Sequence, residues 1–263
     1  MHYLRVLGCL ARVSLQKELA YRANLAIGVL HSLLGAVTGA AGIWVLYGQV
    51  SRVRGWDLPA TVTLLGVYLI AEALRRLFIG PGLDSLAGLA GDLWTGRLDF
   101  TLLRPVNTQF LVTFREWRFL ALFDLAIGAS VVAYGLRGTG TVPGTGQMVA
   151  FALALGAGIV VLYAMLLAFT ALVFWSPGLM LTWVFGGVMQ MARYPVGLYP
   201  GWLRLALTWV VPVGIITTVP AEALTGRLPP GMLAGSVALA LALLLGASTL
   251  FHVGLRRYAS ASS

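Results

Sequence analysis

The chain reads as an all-α polytopic membrane protein, and three observations carry that reading. It is 59% hydrophobic with only 10% charged residues, and its mean hydropathy is +0.88, whereas soluble domains carry about 25% charge. Its apolar residues gather in charge-free runs, and a helical crossing needs about 20 such residues. Its 18 Lys and Arg outnumber 9 Asp and Glu and flank those runs rather than break them, which places the basic residues at a membrane surface and excludes nucleic acid as the expected partner. With no long polar segment, residues 1–263 are expected to form one integral membrane domain.

Residues 1–22 open with an amphipathic stretch. At about 100° per residue, His2, Arg5, Cys9, Arg12 and Gln16 share one arc, with Tyr3, Leu4, Leu7, Leu10, Ala11 and Leu15 opposite. The pattern predicts an interfacial helix in the headgroup plane. A cleaved signal peptide is not expected, because Arg12, Lys17, Glu18 and Arg22 interrupt any apolar core.

Spans are predicted at residues 23–49, 58–77, 119–136, 148–173, 178–192 and 232–253. Residues 148–191 hold no charge at all and, at about 1.5 Å per residue, are twice a bilayer long. They must therefore fold back, and Trp175-Ser176-Pro177-Gly178 is the natural turn. Residues 193–230 are apolar but punctuated by Pro200, Pro212 and Pro220. The positive-inside rule arbitrates. The N-terminus, the connection around residues 75–118 and the C-terminal Arg256 and Arg257 are all basic, so an even number of spans puts all three in the cytoplasm. Six spans with both termini cytoplasmic follow, and residues 193–230 become an outer re-entrant hairpin. Residues 78–115 form the one sizeable cytoplasmic segment, mixing apolar and charged residues in short helices broken near Gly96 and Pro105.

Several chemistries are excluded. Lys17 is the only lysine and sits in no glycine-rich loop, so the chain has no phosphate-binding P-loop of its own. Cys9 is the only cysteine, which rules out an intramolecular disulfide or a thiolate cluster. His-Glu-x-x-His is absent, and His2, His31 and His252 are far apart in sequence, so no catalytic or metal-ligating set is expected. Two acidic side chains fall inside span boundaries. Glu72 shares a helix face with Arg76, and Asp124 lies just above Arg118. Structural ion pairs are the simpler reading; the sharper one puts these carboxylates on a substrate pathway, where they would suit a cation. Gly28, Ser32, Gly35, Gly39 and Gly42 align on the first span as a close-packing face.

Three stretches resemble one family. They are Glu18-Leu-Ala-Tyr-Arg-Ala-Asn24, then Thr95-Gly-Arg-Leu-Asp-Phe-Thr-Leu-Leu-Arg-Pro-Val-Asn107, and finally the Pro-rich residues from Arg193-Tyr-Pro195 to Pro220-Ala-Glu-Ala-Leu-Thr-Gly-Arg227. Together they resemble the permease subunits of ABC-2-type exporters, in a bacterial branch of six-span permeases of which some are labelled viologen or multidrug exporter permeases. The resemblance implies a multi-pass protein of the bacterial cytoplasmic membrane. It implies a dimer with the same or a sister permease, two separate ABC ATPase subunits that carry the ATP and Mg, and no cofactor in this chain. It also implies that residues 89–104 meet the ATPase, with Leu93, Trp94, Leu98 and Phe100 as an apolar ridge and Asp92, Arg97, Asp99 and Arg104 setting register. For Phe100 and Leu103, packing on the permease itself is an equal alternative. A substrate path between spans two and five would use Tyr68, Glu72, Asp124, Trp183, Met189 and Gln190. Two other readings compete: a non-transporting membrane anchor for a cytosolic partner, and an ion-coupled secondary carrier.

Overall fold

The computed structural model describes residues 2–20, 22–87, 91–140, 142–176 and 181–258, with the side chains of His2, Arg22, Ala23 and Trp94 also outside the described set. Those residues are helical throughout, apart from turns and one isolated bridge between Val53 and Trp56. In chain order the helices are α1 (His2–Ala20), α2 (Arg22–Gln49), α3 (Leu58–Leu74), α4 (Gly80–Ala87), α5 (Asp92–Thr95), α6 (Leu98–Leu102) and α7 (Thr108–Phe114). They are followed by α8 (Ala121–Thr139), α9 (Thr145–Leu172), α10 (Leu181–Met191), α11 (Gly201–Leu205), α12 (Val213–Leu224) and α13 (Met232–Arg257).

Four helices are long and apolar enough to cross a membrane: Asn24–Gln49, Ala121–Thr139, Thr145–Leu172 and Met232–Arg257. They overlap the runs predicted at residues 23–49, 119–136, 148–173 and 232–253. The segment Gly201–Val210 meets Val213–Leu224 at 93° and brings the number to five if that bent pair counts as one span. Helix length departs from the six-span expectation in two places. α3 has 17 residues, about 25 Å at 1.5 Å per residue. It does not stop at residue 77 but runs through a π-helical turn, Arg75–Ile79, into α4. α10 has 11 residues, about 16 Å, roughly half of a 30 Å hydrocarbon core. The proposed turn at Trp175-Ser176-Pro177-Gly178 falls partly outside the described residues.

Small residues set the closest helix approaches, as expected where apolar burial alone cannot drive association. One close seam joins α3 to α8. A Cβ on Gly66 would lie 2.5 Å from the Val132 nitrogen, and one on Gly135 would lie 2.6 Å from the Thr63 nitrogen. On α2, Gly28 faces Leu120, Gly39 faces Leu65 and Gly42 faces Tyr194, whereas Gly35 borders open space. α12 docks on α9 where Gly158 presses on the Ile216 backbone. Pro220, one turn on, has no N–H to give the Ile216 carbonyl.

Two ends of the bundle are distinguishable. At one end Arg227 donates to the Gly55 carbonyl at 2.9 Å and to Asp57 Oδ2 at 3.1 Å, and lies over the Trp56 ring. At the other end Tyr3 stacks edge-on against Phe110, Glu18 meets Phe119, and Tyr258 meets Phe174. The N-terminal helix, the connection before α8 and the end of α13 therefore share one end.

Candidate functional site

An apolar helix bundle gains little by burying charge, so the charged groups inside this one define where to look. They cluster around a cavity of about 1390 Å³ bordered by α2, α3, α4, α8 and α10. Glu72 is its most engaged group. Arg75 donates to both of its oxygens, at 2.8 and 2.6 Å, and Arg76 donates to Oε1 at 3.0 Å. The Glu72–Arg76 pair expected from spacing is present, and Arg75 is added to it. The π-helical turn that begins at Arg75 lets two consecutive arginines turn back on one carboxylate. Its freed Leu77 carbonyl accepts the Arg118 N–H at 2.9 Å.

Asp124 pairs with Arg76 at 3.6 Å rather than with the expected Arg118, and its Oδ1 is buried with no hydrogen-bond partner among the described residues. Asp84 on α4 completes the cluster. Burial pushes its carboxyl above the usual range, while the nearby charges of Arg75 and Arg118 oppose that shift. Arg193 also lines the cavity. Its guanidinium lies 5.3 Å from the Tyr68 ring centroid, and its Nε is buried without a hydrogen-bond partner.

Of the residues expected on a substrate path, Tyr68, Glu72, Asp124, Trp183 and Gln190 line this one cavity. Met189 does not; it is buried in the core behind the wall. Trp183 is 81% exposed, a large ring left open on α10. Sequence reasoning missed Arg193 as a lining residue, although it lies just beyond Gln190, and missed the α2 contribution of His31, Ser32 and Thr38.

The segment around residues 78–115 is built by polar pins. Arg115 reaches Ser85 with its Nε at 2.9 Å and also binds Asp92. Asp92 pairs in addition with Arg97 at 3.2 Å and is only 5% exposed. Leu98 is 0% exposed, and Leu93 packs against the core. These three therefore anchor the segment on the chain itself, a packing role beside the partner contact expected of Asp92 and Leu98. Gly96 in the left-handed region (φ 68°) ends α5 and turns the chain into α6. That turn puts Phe100 (69% exposed) and Leu103 (81% exposed) on the outside with Leu102, flanked by exposed Arg97 and Arg104. Leu102 and Leu103 belong to the ridge more fully than the sequence reading allowed. Asp99 is half-buried on the same turn, and the Trp94 side chain and residue 89 lie outside the described residues.

This segment is tied to the long helices. Gln109 on α7 donates to Tyr163 Oη on α9 at 3.0 Å and to Ser248 Oγ on α13 at 3.1 Å. Thr113 lies 3.1 Å from the same tyrosine oxygen. From the N-terminal side, Glu18 of α1 accepts the Phe119 and Leu120 N–H groups at 2.7 and 3.1 Å. It caps the start of α8, where backbone donors are unsatisfied and a negative charge is favoured.

A multi-pass helical membrane protein with a charged cavity and an exposed apolar ridge among its described residues is the class these features define. Residues 33–262 match the family model described as ABC-2 family transporter protein, and the chain belongs to that family. No curated protein and no solved structure is similar enough to match. The chain is thus a transmembrane permease component of the ABC transporter type.

Proposed function

We propose that the chain is the membrane-spanning subunit of an ATP-binding-cassette exporter in the bacterial cytoplasmic membrane. It pairs with the same or a sister permease and is driven by two separate ATPase subunits, which hold the ATP and Mg. The observation that carries this reading is the exposed Phe100, Leu102 and Leu103 ridge between Arg97 and Arg104. Three large apolar side chains left exposed on a segment pinned by buried Asp92 and Leu98 contribute little to this chain's own packing, and they have the anatomy of an interface core with a charged rim.

Family membership supplies the kind of partner. Two copies of the ATPase, a permease dimer and outward transport complete the reading. The six-span topology with cytoplasmic termini is supported by the shared end of α1, the α8 connection and α13. In it, residues 193–230 form an outer re-entrant hairpin, consistent with the 93° bend before α12. The cavity favours a transport role over a bare anchor, because an anchor has no use for charged groups held among apolar helices.

The test is a pull-down of the ATPase subunit by the tagged permease. The double variant Phe100→Ser, Leu103→Ser is expected to lower recovery of the ATPase at least about tenfold, with membrane insertion and elution profile unchanged. Full recovery with both ridge residues replaced removes this surface from the interface.

A further inference from the structure

Resting on the permease reading above, we infer that the cavity takes an amphipathic anion, its phosphate or carboxylate head against Arg193 and its apolar part against Trp183. The carboxylates that line the cavity suggest the opposite charge preference, but they are already compensated. Glu72 and Asp124 are matched by Arg75 and Arg76 in one connected cluster. Asp84 sits in the field of Arg75 and Arg118. Arg193 is left over. No carboxylate lies within ion-pair distance of it among the described residues, its Nε has no hydrogen-bond partner, and its contacts with Tyr68, over the ring and by a side-chain hydrogen bond, bring no negative charge.

A cation over an aromatic face recovers about 2 kcal/mol when desolvated, less than the cost of an uncompensated arginine among apolar helices. A guanidinium presents a planar fork of donors that matches phosphate or carboxylate oxygens in pairs. Tyr68 lies one helical turn from Glu72 on α3, so Arg193 stands apart from the neutral cluster. Farther along the cavity the lining turns apolar: Trp183 and Val184, roughly two to three turns back along α10, and Leu34 on α2 are all exposed and all line it. A charged head and a hydrocarbon tail would each meet a matching surface.

The probes are two single-chain amphiphiles of equal tail length, dodecyl phosphate and dodecyltrimethylammonium, used below their micelle-forming concentrations. Each is titrated onto the purified full-length chain in phosphatidylcholine nanodiscs. Dodecyl phosphate is expected to bind at least about tenfold more tightly, a difference of about 1.4 kcal/mol. Arg193→Gln is expected to abolish that preference and Arg193→Lys to keep most of it. Arg204→Gln, on an exposed arginine outside the cavity, is expected to change nothing.

Repeating the titration with phosphatidylglycerol in the nanodisc separates the sources. Competition identifies a bilayer lipid headgroup, and absence of competition identifies a free amphiphile; both uphold the anion site. Equal binding of the two probes by the unaltered chain, or tighter binding of the cation, overturns the inference whatever the variants do. Neither result touches the permease reading, which fails separately if no ATPase is recovered with the chain.

Discussion

Single residues decide local questions in this bundle when they satisfy backbone groups that nothing else can reach. Glu18 is the clearest case. Its sequence neighbours Lys17 and Leu19 are exposed, whereas its carboxylate is turned inward to two N–H groups at the start of α8. Removing a charged acceptor from two such donors costs about 1–3 kcal/mol. Glu18→Ala is therefore expected to lower the thermal midpoint of the purified protein, Glu18→Gln to lower it less, and Lys17→Ala to leave it in place. Size-exclusion profiles after graded heating measure all three. The acidic residue was visible in the sequence, but its partner was not: the two lie about a hundred residues apart, and no periodicity links a carboxylate to a distant helix start.

At the scale of elements, the short helix α7 is joined by side-chain hydrogen bonds to two long ones. Gln109, Thr113, Tyr163 and Ser248 connect the segment around residues 78–115 to α9 and α13. Polar contacts of this kind between membrane helices are worth about 0.6–2 kcal/mol each. Gln109→Leu removes both donors while keeping the volume. It is expected to cost about 1–2 kcal/mol of stability and, under the proposed function, to lower transport per ATP hydrolysed while the ATPase still binds. A parallel fall in ATPase binding would place Gln109 in the interface instead. The same segment shows why element-level reading from sequence reached only part way. Residues 92–104 stood out by their mixed composition, yet composition does not say which apolar residue faces inward. Leu98 went in and Leu103 stayed out because Gly96 turns the chain between α5 and α6.

Across the whole molecule, charge-free runs made four crossing helices legible: 119–136 ran two residues early, and 148–173 and 232–253 were short by only a few residues at one end. α3 and α10, predicted as spans at 58–77 and 178–192, are not among those four, because length and hydrophobicity part company there. α3 runs on past its arginines because Glu72 neutralises them, and α10 stops after 11 residues. The cavity was half legible. Tyr68, Glu72, Asp124, Trp183 and Gln190 were selected from three predicted spans, and they line one cavity. Arg193 was read as a boundary residue because an arginine at the end of an apolar run is normally at the membrane surface. Only the contact with Tyr68 and its place in the cavity lining reveal what it faces.

The division of labour between a permease with no P-loop and a separate ATPase is tested most directly by cysteine cross-linking in native membranes. Cys9 is the only native cysteine, so a Cys9→Ser background carrying Phe100→Cys or Leu103→Cys reports from the ridge alone. The expected result is a covalent adduct, formed from either position, with a cytosolic chain that carries a P-loop and is identified by mass spectrometry. An unlinked permease at both positions, or an adduct with a chain lacking a nucleotide site, is incompatible with an ATPase seated on this surface.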